Sequence, residues 1–254
     1  MNIEIDNIKT NYIDSGSGDT IVLLHGWGSN INLLNTLTTS LNANYRVIAL
    51  DLPGFGQSSE PNYAMNVDDY TNFVINFINK LGIKKTHILG HSFGGRIIIK
   101  MMNKQNLPFE IDKIILVDSA GIKPKKSLKV EFKIKIFKLS RKLFEGTILG
   151  KMYPNFIENM RNKSGSADYN SATPIMRQIL VNVVNEDLTP LLSNIKNETL
   201  LIWGDKDDAT PIQDAYTMNK LIKNSGLITV KNAGHYSYLE QKDYVNSAIS
   251  AFLS

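Results

Sequence analysis

No cysteine occurs among the 254 residues. That excludes disulfides, thiolate nucleophiles and cysteine-ligated metals together. Long apolar runs are missing too, since none approaches the roughly 18 residues needed to span a bilayer. The N-terminus, Met1-Asn2-Ile3-Glu4-Ile5-Asp6, carries acids and no apolar core. It does not read as a secretory signal, and the expected location is the cytoplasm. There is no Gly-x-Gly-x-x-Gly dinucleotide signature, no metal-ligand cluster, no internal repeat and no low-complexity tract. Neither a cofactor nor a metal is therefore expected. Charged residues make up only 20% of the chain, too few for a disordered tail or a coiled coil.

What is present is 43% hydrophobic residues, enough for one large core. The net charge of +4 is unevenly placed. Residues 120–196 hold 14 basic and 6 acidic residues, a balance of +8, and the remainder carries −4. The middle of the chain therefore reads as a separate layer.

Asn2-Ile3-Glu4-Ile5 and Ile8-Lys9-Thr10-Asn11-Tyr12-Ile13 alternate in part and predict an opening antiparallel pair. Ile21-Val22-Leu23-Leu24, Tyr45-Arg46-Val47-Ile48-Ala49-Leu50 and Lys113-Ile114-Ile115-Leu116-Val117 are continuous apolar runs, of the kind buried on both faces of a parallel sheet. Residues 35–41 read as a helix. So do residues 68–81, with Tyr70, Phe73, Val74, Phe77, Ile78 and Leu81 on one stripe and Gly82 as the stop. Strand-helix alternation argues for right-handed crossovers and a mostly parallel sheet. From residue 121 to about 196 the strand signals cease. Val130, Ile134, Phe137 and Phe144 suggest helix, although residues 129–136 also alternate with period two. Residues 152–160 and 174–184 read as further short helices. Thr199-Leu200-Leu201-Ile202-Trp203 and Leu227-Ile228-Thr229-Val230 restore the strand pattern, and a helix from about Gln241 closes the chain.

The chain is organised around Gly90-His91-Ser92-Phe93-Gly94, followed by Gly95. An apolar strand precedes it and Arg96-Ile97-Ile98-Ile99-Lys100-Met101-Met102 follows as a helix. A serine between two glycines at such a corner is a nucleophile elbow. Its backbone is strained, and its hydroxyl stands over a helix N-terminus that favours negative charge. Further landmarks follow in order: His25-Gly26-Trp27-Gly28, Asp51-Leu52-Pro53-Gly54-Phe55-Gly56-Gln57-Ser58, Trp203-Gly204-Asp205-Lys206-Asp207 and Gly234-His235. From about residue 21 to the C-terminus, less securely between 121 and 196, the chain resembles the α/β-hydrolases.

That resemblance implies a mostly parallel sheet with helices on both faces. Residues 1–120 and 197–254 would form the α/β-hydrolase core, with 121–196 a helical cap inserted over the site. It implies Ser92 as nucleophile, His235 as base and Asp207 as acid, each just after a strand and so on one edge of the sheet. Asp207 is selected by the family spacing of Gly-x-x-Asp with proline four residues later, here Gly204 and Pro211. Asp118, after the run ending at Val117, is the alternative acid. Asp51 is expected to hold its loop together. The oxyanion donors would be the backbone N–H groups of Trp27 and Phe93. The remaining histidines have weaker claims: His25 lies in the oxyanion loop, His91 in the elbow and His87 within a strand. Met152, Tyr153, Phe156, Met176 and Ile179 are candidates for an apolar acyl pocket, with cap-to-core packing as the plainer role for each.

A serine nucleophile points to acyl transfer through an acyl-enzyme. It argues against the dehalogenases and epoxide hydrolases of the family, which use aspartate there. The leading expectation is a carboxylesterase for a small, largely apolar acyl ester. C–C bond hydrolysis of a vinylogous diketone is the close alternative. That branch reads an anionic substrate partly through arginine, for which Arg96, Arg161 and Arg177 are available. A thioesterase or lactonase would use the same parts, and a ligand receptor on this fold is the reading from another class.

Residues 123–142 hold nine lysines and arginines against one acid, Glu131. The favoured reading is the solvated face of a cap helix. An acidic carrier protein or an anionic membrane is the less favoured docking partner. Nucleic acid is not expected, since no aromatic stacking platform accompanies the charge. Steering by surface charge weakens as the Debye length shrinks from roughly 30 Å at 0.01 M to 3 Å at 1 M salt. For a small neutral ester, kcat/KM is expected to be nearly salt-independent and to survive reversal of Lys126, Lys129 and Lys133 to Glu. A steep salt-dependent loss on a carrier-bound or vesicle substrate, removed by that reversal, would make the segment a docking surface.

Overall fold

Each apolar run of four to eight residues becomes one strand of an eight-stranded sheet. The computed structural model describes residues 1–123 and 167–254. The basic stretch beyond Lys123, the expected helix at 152–160, Arg161, and the pocket candidates Met152, Tyr153 and Phe156 lie outside the described residues. The strands are β1 (Asn2–Ile5), β2 (Ile8–Ser15), β3 (Thr20–Leu24), β4 (Arg46–Leu50), β5 (Lys85–His91), β6 (Glu110–Val117), β7 (Thr199–Gly204) and β8 (Ser225–Val230). Their order is β1-β2-β4-β3-β5-β6-β7-β8. The β1–β2 and β2–β4 pairs are antiparallel, and all others are parallel.

The continuous apolar strands are explained by burial on both faces. Val22 and Leu24 enter one core and their neighbours Ile21 and Leu23 the other. Helices α1 (Asn35–Leu41) and α8 (Lys242–Leu253) cover the second core, through Leu37, Leu41, Val245 and Ile249. The first core is covered by α2 (Val67–Lys80), α3 (Phe93–Met101), α5 (Pro174–Asn185) and α6 (Ile212–Leu221). Two short α-helices complete the set among the described residues, α4 (Ala167–Ser171) and α7 (Ser237–Glu240). The α2 helix is closed at both ends by its own sequence. Asn66 accepts the Asp69 N–H at 3.0 Å while the Asp69 carboxylate accepts the Asn66 N–H at 2.8 Å, a reciprocal cap. Gly82 leaves the helix at φ +69°.

The α6 helix does not show in the sequence pattern. It buries only Ala215 and Met218 fully, a stripe too thin to stand out against its polar positions. Strand β5 also runs two residues further than the apolar run, to His91.

After β6 and again before β7 the chain passes one narrow neck, at residues 121 and 188. There the Leu188 N–H donates to the Gly121 carbonyl at 2.9 Å. The elbow helix holds the same neck. Arg96 Nη1 donates to the Glu186 carbonyl at 2.8 Å, and Lys100 pairs with the Glu186 carboxylate at 2.5 Å.

Strand and helix approach closely at the β5–α3 corner. A Cβ on Gly90 would lie 2.6 Å from the Gly94 carbonyl carbon and 2.7 Å from the Gly95 nitrogen. Both are backbone atoms that cannot swing aside. Gly90→Ala is therefore expected to cost about 2 kcal/mol or more in urea unfolding. A loss below about 0.5 kcal/mol would show that the corner has room to relax.

Candidate active site

Ser92 sits between β5 and α3 at φ 49°, ψ −109°, a conformation that a side chain rarely adopts. The corner holds it there by main-chain bonds. Its N–H donates to the Val117 carbonyl at 3.1 Å, and its carbonyl accepts from Gly95 and Ala120, each at 3.0 Å. The hydroxyl is 2.9 Å from His235 Nε2. His235 Nδ1 is 2.8 Å from Asp207 Oδ2. A carboxylate only accepts here, so Nδ1 carries the proton and Nε2 offers its lone pair to Ser92.

The Asp207 carboxylate is held from several sides. Oδ1 accepts the N–H groups of Ala209 and Thr210, both at 2.9 Å. Oδ2 accepts the Thr210 hydroxyl at 2.7 Å as well as the histidine. Burial pushes this carboxyl up, but the bonds from His235 and Thr210 outweigh it and hold it below the usual range.

Asp118 is the other carboxylate of the region, and it does different work. It is fully buried and accepts the Gly204 N–H at 2.9 Å, the Ser237 N–H at 3.0 Å and the Ser237 hydroxyl at 2.7 Å. It thereby joins the ends of β6 and β7 to the loop that carries His235. Burial, opposed by these bonds, raises it to about 6. Asp51 gathers loops on the other side, accepting the Ile31 N–H at 2.8 Å, the Gln57 N–H at 2.9 Å and the Asn11 amide at 2.8 Å.

The two buried histidines are structural parts of the site. His25 Nδ1 donates to the Gly26 carbonyl at 2.7 Å, and its Nε2 accepts the Leu52 N–H at 3.0 Å, fixing the loop after β3 to the Asp51 turn. His91 Nε2 donates to the His235 carbonyl at 2.8 Å. Its Nδ1 is buried with no hydrogen-bond partner among the described residues and faces Gly26, where a Cβ would lie 2.8 Å away. Sequence reasoning assigns His91 no task, because its acceptor lies 144 residues away.

Trp27 packs edge-on against Phe55 and Phe93, with ring centroids 4.8 and 5.7 Å apart. Its N–H has no main-chain acceptor among the described residues. Phe93 opens α3, so its N–H has none within the helix. Met176 and Ile179 are 4% and 0% exposed, in the same apolar cluster as Phe55 and Phe93. In this structure they pack α5 onto the core. Arg96 is buried at the neck, and Arg177 donates to the Tyr169 and Asn170 carbonyls, both at 2.9 Å. A cleft of ~100 Å³ opens at the opposite, N-terminal edge of the sheet between Asp19, Lys85, His87 and Asp112. Within it Lys85 lies 3.1 Å from Asp112.

The family model for the alpha/beta hydrolase fold matches residues 19–149, just over half of the chain. The chain belongs to the α/β-hydrolases. A second family model, TAP-like protein, matches residues 182–254 of this α/β-hydrolase. The AB hydrolase superfamily protein YisY of Bacillus subtilis is 28% identical over 94% of this chain and 93% of its own. A meta-cleavage product hydrolase from Pseudomonas fluorescens IP01 is 26% identical, with TM-score 0.73 over 100% of this chain and 97% of that one. An esterase from Exiguobacterium antarcticum shares the fold at 24% identity, with TM-score 0.75 over 100% and 99%. No helix among the described residues is long and apolar enough to cross a membrane.

The buried groups set the response to acid. Burial lowers His25 to about 4 and His91 to about 3, with the neighbouring His235 also acting on His91. The unfolded chain protonates both near the ordinary histidine value and the folded one does not, so stability falls as pH drops below about 6.5. Asp118 acts in the opposite sense. Its raised value favours the folded state below about 6, with the gain complete once pH is below the ordinary aspartate range. His25 and His91 against Asp118 leave a net loss expected at about 2 kcal/mol between pH 7 and 5, and His87, also lowered by burial, adds to it in the same direction. Urea unfolding at the two pH values checks this, and His91→Gln should roughly halve the histidine share. Equal stability at both would mean that the histidines are not held neutral.

Proposed function

We propose that this α/β-hydrolase is a serine carboxylesterase acting on a small, largely apolar acyl ester. The observation that carries the reading is the line of contacts from Ser92 Oγ through His235 to Asp207, at 2.9 and 2.8 Å. Ser92 Oγ attacks the ester carbonyl carbon while His235 Nε2 takes the serine proton. The carbonyl π pair moves to oxygen, where the Trp27 and Phe93 N–H groups receive it. Fixed donors of this kind act on charge that exists only in the transition state. The imidazolium then gives its proton to the departing alkoxide, leaving an acyl-enzyme. Water repeats the sequence to release the acid. Asp207 keeps His235 in the productive tautomer and stabilises its charge.

The surroundings favour an apolar acyl group. Trp27, Phe55 and Phe93 gather beside the elbow. Among the described residues, the arginines considered for an anionic substrate are engaged elsewhere, Arg96 with Glu186 and Arg177 with Tyr169 and Asn170. The second reading is C–C bond hydrolysis of a vinylogous diketone. It draws on the 26% identical meta-cleavage product hydrolase, which matches along its length. Turnover of esters of graded acyl length beside one such diketone separates the two.

Ser92→Ala is expected to lose fluorophosphonate labelling and to lower kcat at least about a thousandfold in a folded protein. Near wild-type ester hydrolysis by this variant would sink the assignment. Asp207→Asn should lose most activity through the wrong histidine tautomer, and Asp118→Asn far less. The reverse ranking would move the acid to the end of β6.

A further inference from the structure

Thr210 is 7% exposed and lies three residues beyond Asp207. Its hydroxyl is 2.7 Å from Asp207 Oδ2, 3.1 Å from the Asp118 carbonyl and 3.3 Å from His235 Nδ1. A hydroxyl has one proton to give. Of its three neighbours, two only accept. The third, Nδ1, carries a proton that points at Asp207. The closest acceptor is Oδ2, the same oxygen that His235 uses. Thr210 and His235 therefore approach one carboxylate oxygen from two directions, while Oδ1 is already filled by two backbone N–H groups.

We propose that Thr210 is a positioning residue of the site, whose hydroxyl fixes the rotation of the Asp207 carboxylate and tempers its pull on the His235 proton. This rests on the serine-hydrolase reading above. A carboxylate held only through Oδ1 can swing about its Cβ–Cγ bond and lose its alignment with Nδ1. A second donor on Oδ2 removes that freedom before substrate arrives. The same donor draws electron density from Oδ2, so the imidazolium is stabilised enough to form and not so much that it persists. The Thr210 hydroxyl meets Asp207, His235 and the Asp118 carbonyl, so its effect on Ser92 passes through Asp207 and His235.

The charged and titratable groups around this pair come from every neighbouring element: Asp118 at the end of β6, His91 in the elbow, Asp214 at the start of α6, and Tyr236 and Tyr238 beyond the histidine. Asp207 Oδ2 accepts from Thr210 and from His235, and Thr210 is the group that balances His235 there. The competing arrangement gives the Thr210 proton to the Asp118 carbonyl, which would make Thr210 a brace between loops with no influence on the histidine.

The test compares Thr210→Val, which removes the hydroxyl at nearly constant shape, with Thr210→Ser, which keeps it. Loss of a hydrogen bond to a charged group corresponds to about tenfold in rate. Thr210→Val should therefore lower kcat about tenfold with KM within about twofold of wild type. The acid limb of kcat/KM should move to higher pH, since an untempered carboxylate holds the imidazolium proton more tightly. Thr210→Ser should restore both. The inference is overturned by a Thr210→Val enzyme with an unmoved acid limb, whatever its melting temperature, because the hydroxyl then serves the Asp118 carbonyl. It is equally overturned if Thr210→Ser is as impaired as Thr210→Val. Should the valine variant not fold, Thr210→Ala takes its place: a lowered kcat with a moved acid limb supports the inference, and an unmoved limb overturns it. An inactive Ser92→Ala beside an unaffected Thr210→Val sinks this inference alone, whereas an active Ser92→Ala sinks the reading beneath it too.

Discussion

The closeness of α3 to β5 is the constraint on which the remainder depends. Three glycines, Gly90, Gly94 and Gly95, leave no Cβ between helix, strand and the neighbouring chain at Leu24 and Ser119. Only at that distance can the turn at Ser92 close with its carbonyl bonded to both Gly95 and Ala120. A residue at positive φ costs on the order of 1–3 kcal/mol and survives only where its surroundings over-determine it. Here the surroundings are the buried strands β5 and β6 and the apolar face of α3. The strain is thus carried by the part of the molecule least able to yield, and the serine hydroxyl inherits that rigidity.

Around this corner, loops from distant parts of the chain must meet, and buried polar side chains bring them together. Asp51 and His25 join the turn after β4 to the loop after β3. Asp118 joins β6, β7 and the histidine loop, and His91 holds the histidine's own carbonyl. Asp118 and Asp207 both meet the Thr210 hydroxyl, one through its carbonyl and the other through its carboxylate. Both are buried, yet one is raised and the other held low. The difference lies in the company: Asp207 faces a histidine able to become a cation, and the Asp118 carboxylate accepts from neutral donors. Burial without a charged partner pushes a carboxyl up, and a partner reverses the sign.

The sheet was legible in the sequence because strands buried on both faces leave uninterrupted apolar runs, as at Ile21 to Leu24. The elbow was legible because its glycines are adjacent in sequence to the serine they serve. Helix α6 was not, since a helix lying over the sheet edge buries too few side chains to leave a stripe. Thr210, His91 and the clamp formed by Asp118 were hidden for another reason. Apart from Asp207, three residues before Thr210, their partners lie 25 to 144 residues away, and a single polar residue carries no local sign of what the fold will bring to it. Asp118 and Asp207 could be ranked only through spacing shared with a family. In the folded chain they differ by which donors each one meets.

The neck between Gly121 and Leu188 has a consequence for how such a molecule can change. Among the described residues the Leu188 N–H to Gly121 carbonyl bond closes this neck, braced from α3 by Arg96 and Lys100. Seen from the sheet, everything between those two residues is a detour that begins and ends at the same point. The entropy of closing a loop grows only with the logarithm of its length, each doubling adding about 0.6 kcal/mol. The sheet is therefore nearly indifferent to what hangs from its neck. Descendants of this chain could lengthen, shorten or exchange the detour while the corner that holds Ser92 is left untouched.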